Sequence, residues 1–145
     1  MIKAPPAIKV PLVIRALIIA LCCCACEPPP AAHATGNDSL YQAWQQQLSN
    51  IQLSGSGIVT KILRDDVKGS RHQRFILKVN AQQTILIAHN IDLAPRIPNL
   101  REGDTVEFYG EYEWNAKGGV LHWTHKAPHN RHPHGWLRHQ DKQYW

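Results

Sequence analysis

The sequence predicts a mostly β chain, a small five-stranded OB-like Greek-key barrel with a short N-terminal helix. Three observations carry that expectation. Five short β-rich runs succeed one another from Ile58 onward, turns rich in Gly, Asn or Pro separate them, and the one long connection falls between the third and fourth runs.

Taken in order, Asp38 or Ser39 can cap a helix running to about Asn50, with Tyr41, Trp44 and Leu48 at near-helical spacing on the face that packs against the domain. Residues 58–63 are the first strand, 65–70 a turn containing Gly69, and 72–79 the second strand. A tight connection at 80–82 leads to the third strand, 84–89. Residues 90–104 hold Pro95, Pro98 and Gly103 and read as a loop with at most one helical turn. In strand four, 105–114, the alternation places Val106, Phe108, Gly110, Tyr112 and Trp114 on one face, and Thr105, Glu107, Tyr109, Glu111 and Glu113 on the other. A Gly-rich turn at 115–119 precedes strand five, 120–125.

A chain of 145 residues suits one domain with one modest core. Residues 1–25 read as an export signal of the lipoprotein kind. Lys3, Lys9 and Arg15 precede an apolar run of roughly ten residues, too short to span a membrane. Cys26 follows Ala25 and precedes Glu27-Pro28-Pro29-Pro30, an arrangement that resembles a bacterial lipoprotein processing site. Lipidation of Cys26 would tie the protein to a membrane through its lipid alone. Residues 26–37 then form a Pro/Ala-rich tether, 38–126 the barrel, and 127–145 a tail rich in His and aromatic residues. The expected location is the bacterial cell envelope, lipid-anchored or periplasmic.

All four cysteines fall at positions 22, 23, 24 and 26, so the folded part has neither a disulfide framework nor thiolate ligands. The formal charge is +5, but beyond the signal 13 basic side chains face 11 acidic ones, which gives nucleic-acid binding only weak electrostatic support. Nine histidines are present, and six lie between His122 and His139. Their protonation would make that end more positive below about pH 6.5.

If the strands run alternately up and down as in such a barrel, the loop after strand one and the ends of strands three and five reach one rim. Asp65, Asp66, Arg71, His72 and Arg74 then meet His89, Asn90 and Asp92, and both groups meet His122, Trp123 and His125. His72, His89, His122 and His125 are candidate ligands for a divalent metal such as zinc, with the aspartates as carboxylate donors. The plainer alternative is that the aspartates cap turns and that His89 and Asn90 bond loop backbone.

The same segments carry a family resemblance. The strings Asp65-Asp66-x-x-Gly69-Ser70-x-His72-Gln73-x-Phe75, Ala88-His89-Asn90-Ile91-Asp92-Leu93-Ala94-Pro95, Gly110-Glu111-Tyr112-x-Trp114 and Gly118-Gly119-x-x-His122-Trp123-Thr124-His125 resemble the bacterial "domain of unknown function 3465" family. The resemblance implies a small bacterial domain behind an export signal and no particular activity.

Two classes of function suit these residues. The first is an exported binding module for a polyanion, nucleic acid foremost, or for an oligosaccharide, with Arg64, Lys68, Arg71, Arg74 and Lys78 as phosphate contacts and an exposed aromatic as stacking platform. The outward Glu107, Glu111 and Glu113 weigh against a polyanion. The second is a metal-dependent phosphodiesterase or other hydrolase using the rim histidines and aspartates. An envelope interaction lipoprotein without a small ligand is a third reading.

Overall fold

Three successive strands, β2 (His72–Lys78), β3 (Thr84–Asn90) and β4 (Thr105–Glu113), bury every second residue, the signature of sheet with one face inward. Together with β1 (Ile51–Ile62) and β5 (Val120–His122) they close into a five-stranded barrel of order β1-β2-β3-β5-β4-β1. β3 and β5 pair in parallel and every other neighbour is antiparallel. This is the connectivity and chain direction expected of an OB-like barrel. The computed structural model describes residues 36–145, so the expected signal, Cys26 and nearly all of the tether lie outside the described residues.

Phe75, Leu77, Ile85, Ile87, Val106, Phe108, Tyr112 and Leu121 fill the interior and are almost wholly enclosed. Helix α1 (Gly36–Gln45) adds Leu40 and Ala43 to that core. The Trp44 indole N–H donates to the Asn115 carbonyl in the β4–β5 turn (3.1 Å), and the Trp114 indole returns a bond to the Trp44 carbonyl (3.1 Å). The loop between β3 and β4 opens with a helical-type turn, closed by Ala94 N–H on the Asn90 carbonyl (3.1 Å), and carries Ile97 into the core. The Gln73 amide grips Ile97 at both backbone groups, at 3.0 and 2.9 Å. One buried side chain thereby satisfies two backbone groups of a loop that has no sheet partner.

Several boundaries differ from the sequence reading, among them the end of β5, at His122 rather than 125. The helix stops at Gln45, because Gln47 and Asn50 take left-handed backbone (φ 56° and 59°), and Leu48 is exposed instead of joining the packed face. β1 starts at Ile51, seven residues before the expected strand. Its first half pairs with β4, from Ile51 opposite Tyr112 to Ile58 opposite Thr105, and its second half with β2. The tail is part of the sheet. After a single 3-10 turn (Pro128–Asn130), β6 (Trp136–His139) pairs with β4 beside β5, and β7 (Lys142–Tyr144) pairs with β6. Gln140 and Asp141 form the intervening turn, both at positive φ, and Leu137 and Tyr144 join the core.

The β4–β5 turn sets which β5 residue faces which β4 residue. Gly118 and Gly119 have φ of 107° and 106°, a Cβ at Gly118 would overlap the Thr84 carbonyl, and the Tyr112 hydroxyl donates to the Gly118 carbonyl (3.0 Å). Gly118→Ala is therefore expected to destabilise the protein by at least about 2 kcal/mol, from backbone strain plus overlap. Gly69 also has positive φ (74°) but open space around it, so Gly69→Ala should cost only about 1 kcal/mol. Urea unfolding of both variants checks the order, and equal losses would show that the turn does not fix the pairing.

Candidate functional site

The β1–β2 loop and the ends of β3 and β5 do reach a common rim, and local bonds fix its backbone. Asp66 and His72 exchange backbone hydrogen bonds at 3.0 and 2.9 Å. Arg71 donates to the Asp92 carboxylate from its backbone N–H and its Nε, both at 2.7 Å, and its carbonyl accepts from Ile91 N–H (2.9 Å). Asp65 pairs with Arg96. The Arg74 guanidinium donates twice to the Arg64 carbonyl, at 3.1 and 3.0 Å. Asn90 Oδ1 accepts from Asp92 N–H (2.9 Å) and Asp66 Oδ1 from Lys68 N–H (3.0 Å), both side-chain turn bonds. Donation from the Lys68 backbone holds the Asp66 carboxyl below its ordinary range, and donation from Arg71 does the same for Asp92.

The four candidate histidines divide. Burial alternates along β3, so His89 follows Ile85 and Ile87 inward, whereas Asn90 follows Leu86 and Ala88 outward. His89 is fully enclosed. Its Nδ1 lies 2.8 Å from Thr124 Oγ1 and its Nε2 3.1 Å from the Pro95 carbonyl. An acceptor carbonyl at Nε2 requires a proton there, which leaves Nδ1 to accept from the Thr124 hydroxyl. Burial pushes the His89 pKa down to about 4, so the ring is a neutral clamp between β3, its following loop and the end of β5. Both nitrogens are engaged.

His72, His122 and His125, in contrast, come together with Trp123, Asn90 and Ser70 around a hollow of about 230 Å³. His125 is largely enclosed, with Nδ1 2.7 Å from the Lys126 carbonyl. Burial lowers the pKa of both His122 and His125, at His122 against the opposing pull of Glu111 and Glu113. A groove of about 390 Å³ shares His72 and His122 with this hollow and crosses the outer faces of β2, β3 and β5. Leu86, Ala88 and Val120 are its apolar lining, and Asp66, Arg74 and Glu113 its charged one. A larger hollow of about 550 Å³ lies between the start of α1 and β4, but Glu107, the one ionisable group lining it, is paired with Arg138.

Trp123 is the exposed centre of the rim. Its ring centroid lies 4.0 Å from His132, 5.6 Å from His125 and 5.9 Å from His122. Its backbone is left-handed (φ 52°), uncommon for a bulky residue and sustained here by the packing of Gly135 against the Trp123 carbonyl. His132, Glu111 and Glu113 are residues the sequence reading left out of the site. The glutamates were legible. Alternation put them on the outer face of strand four, and the short turn to strand five brings His122 opposite Glu111.

The family described as "Protein of unknown function (DUF3465)" matches residues 18–145 of the chain. No curated protein matches it.

The His89 clamp makes stability depend on pH with a definite sign. Its folded pKa, about 4, lies below the ordinary 6.5, so on acidification the unfolded chain takes up the proton first. The stabilisation is complete above about pH 6.5 and is lost as pH falls toward 4, by about 3 kcal/mol in all. His89→Gln removes that titration. Denaturant unfolding at pH 7 and pH 4 should show the wild type losing more stability than the variant over this interval, and parallel losses would contradict the clamp.

Proposed function

The chain belongs to the DUF3465 family, and we propose that it is an exported binding module that takes an oligosaccharide across the outer face of β2, β3 and β5. The single observation supporting this reading is the composition of that face: an exposed indole, Trp123, beside Ser70, Asn90, His72 and His125, continuous through His72 and His122 with an apolar-floored groove. An aromatic plate flanked by hydrogen-bonding side chains suits sugar rings, which have apolar faces and hydroxyl edges. OB barrels bind oligonucleotides and oligosaccharides on this same face.

Between those ligand classes the electrostatics favour the neutral one. Arg71 and Arg96 are paired with aspartates, and Arg74 is turned to the Arg64 carbonyl. The carboxylates of Asp66 and Glu113 stand in the groove itself. A phosphate chain laid there would meet few free cations and several anions. Export rests on the pattern of residues 3–26, and among the described residues no helix is long and apolar enough to cross a membrane.

The test is a titration followed by tryptophan fluorescence, using N-acetylglucosamine and glucose oligomers, soluble glycan strands and a dT10 oligonucleotide as probes. At least one saccharide should saturate, and Trp123→Ala should weaken it by about tenfold or more, the worth of one stacking platform at about 1–3 kcal/mol. Saccharide binding that ignores Trp123, or none at all, overturns the proposal. Binding of dT10 alone, falling steeply from 50 to 200 mM salt, would replace the sugar with nucleic acid.

A further inference from the structure

The β4–β5 hairpin places three metal-binding side chains together on its outer face. Glu111 is directly opposite His122 in the antiparallel register, and Glu113, opposite Val120, is two residues further along the same face. His122 Nε2 lies 3.7 Å from Glu111 Oε1 and 3.9 Å from Glu113 Oε1. One ligand atom from each residue falls within 4.8 Å of the other two.

Those separations are too long for hydrogen bonds. His122 Nε2 is nevertheless shielded from solvent and has no hydrogen-bond partner, although part of the ring is exposed. Among the described residues, neither glutamate has an ion-pair partner other than His122, whereas Glu107 on the same face is paired with Arg138. A shielded imidazole nitrogen facing two carboxylates thus has a gap that no protein group fills. A common ion would draw the three slightly closer, because in a tetrahedral shell metal–ligand bonds of about 2.0–2.2 Å put neighbouring ligand atoms roughly 3.3–3.6 Å apart.

We propose that Glu111, Glu113 and His122 bind one divalent metal ion, and that the ion is Zn²⁺. One imidazole nitrogen with two carboxylate oxygens is a borderline donor set, which suits zinc better than the all-oxygen shells preferred by calcium and magnesium. Three protein ligands leave at least one coordination position for water or another ligand. Glu113 and His122 also line the groove, so the ion would stand at its edge. The site does not depend on what the groove binds. It differs from the set expected from the sequence in replacing His72, His89 and His125 with two glutamates.

The tail histidines can collect metal on their own, so the test must separate the two. The protein, purified without a histidine tag and stripped with chelator, is titrated with ZnCl₂ by calorimetry, with stoichiometry read by native mass spectrometry. One equivalent should bind. His122→Ala should weaken it on the order of 100-fold or more, and Glu111→Gln and Glu113→Gln at least about tenfold, the lower end of what removing even a ligand-orienting group does. The glutamine variants keep side-chain shape, and melting curves of the metal-free proteins show whether each remains folded. In Co²⁺-loaded protein the visible spectrum should change with His122→Ala and persist in a His129→Ala/His132→Ala/His134→Ala triple variant. No bound equivalent, equal affinity in the folded Glu→Gln variants, or loss of the ion only in the triple variant would overturn the assignment.

Discussion

Closure of the barrel through β1 is the constraint on which the rest depends. One strand of 12 residues must pair with β4 along its first half and with β2 along its second, so it has to coil sharply where the two pairings meet at Ile58. Gly55 and Gly57 permit the close approach. A Cβ at Gly55 would lie 2.7 Å from the Phe108 ring, and one at Gly57 2.8 Å from the Lys78 carbonyl. With β1 covering one edge of β4 completely, the other edge is divided between β5 at Glu111–Glu113 and β6 at Glu107–Tyr109. That division fixes which outward groups of β4 face His122 and which face Arg138.

The sequence expressed the barrel well because its information there is periodic. Burial alternates strictly along β2, β3 and β4, and in β4 the residue types alternate with it, whereas β2 and β3 were legible as short β-rich runs bounded by turn residues. What escaped was local chemistry that looks like loop. Ser54-Gly55-Ser56-Gly57 has poor β propensity, yet it is strand because it pairs with β4, and glycine stands at 55 because a Cβ there would not fit beside Phe108. The tail was masked by its histidines and prolines, and only Leu137 and Tyr144, too short a pattern to stand alone, hinted at two further strands.

The site was half legible for a related reason. Chain direction brought the correct segments to one rim, but treating each segment as a unit ignored strand parity. Alternation in β3 already put His89 with Ile85 and Ile87, and in β2 it put His72 with Arg74 and Gln73 with Phe75. His89 and Gln73 are accordingly supports: each is buried, and each secures the β3–β4 loop through a backbone carbonyl. The aspartates and arginines of the rim are likewise engaged with one another and with backbone. What remains outward and available is a smaller set, centred on β5.

That concentration on β5 has a structural logic. β5 has only three residues, so its own ladder cannot hold the segment that follows, and the chain leaves it through a Trp with left-handed backbone. The segment is held from outside instead: Thr124 by His89, the His125 carbonyl by Gly135 N–H (2.9 Å), and the Trp123 ring by His132. A left-handed non-glycine backbone costs of order 1–3 kcal/mol and persists only where its surroundings over-determine it. Here the surroundings are a buried polar clamp, a close-packed glycine and the returning tail. If the segment served packing alone, a glycine at 123 would relieve the strain with less scaffolding. The arrangement instead leaves the indole and the His122 ring on the outer face, one against a hollow lined by polar groups and the other against two carboxylates. Supports from two separate parts of the chain, β3 and the returning tail, thus hold a very short segment with its rings outward, as the proposed binding surface would require.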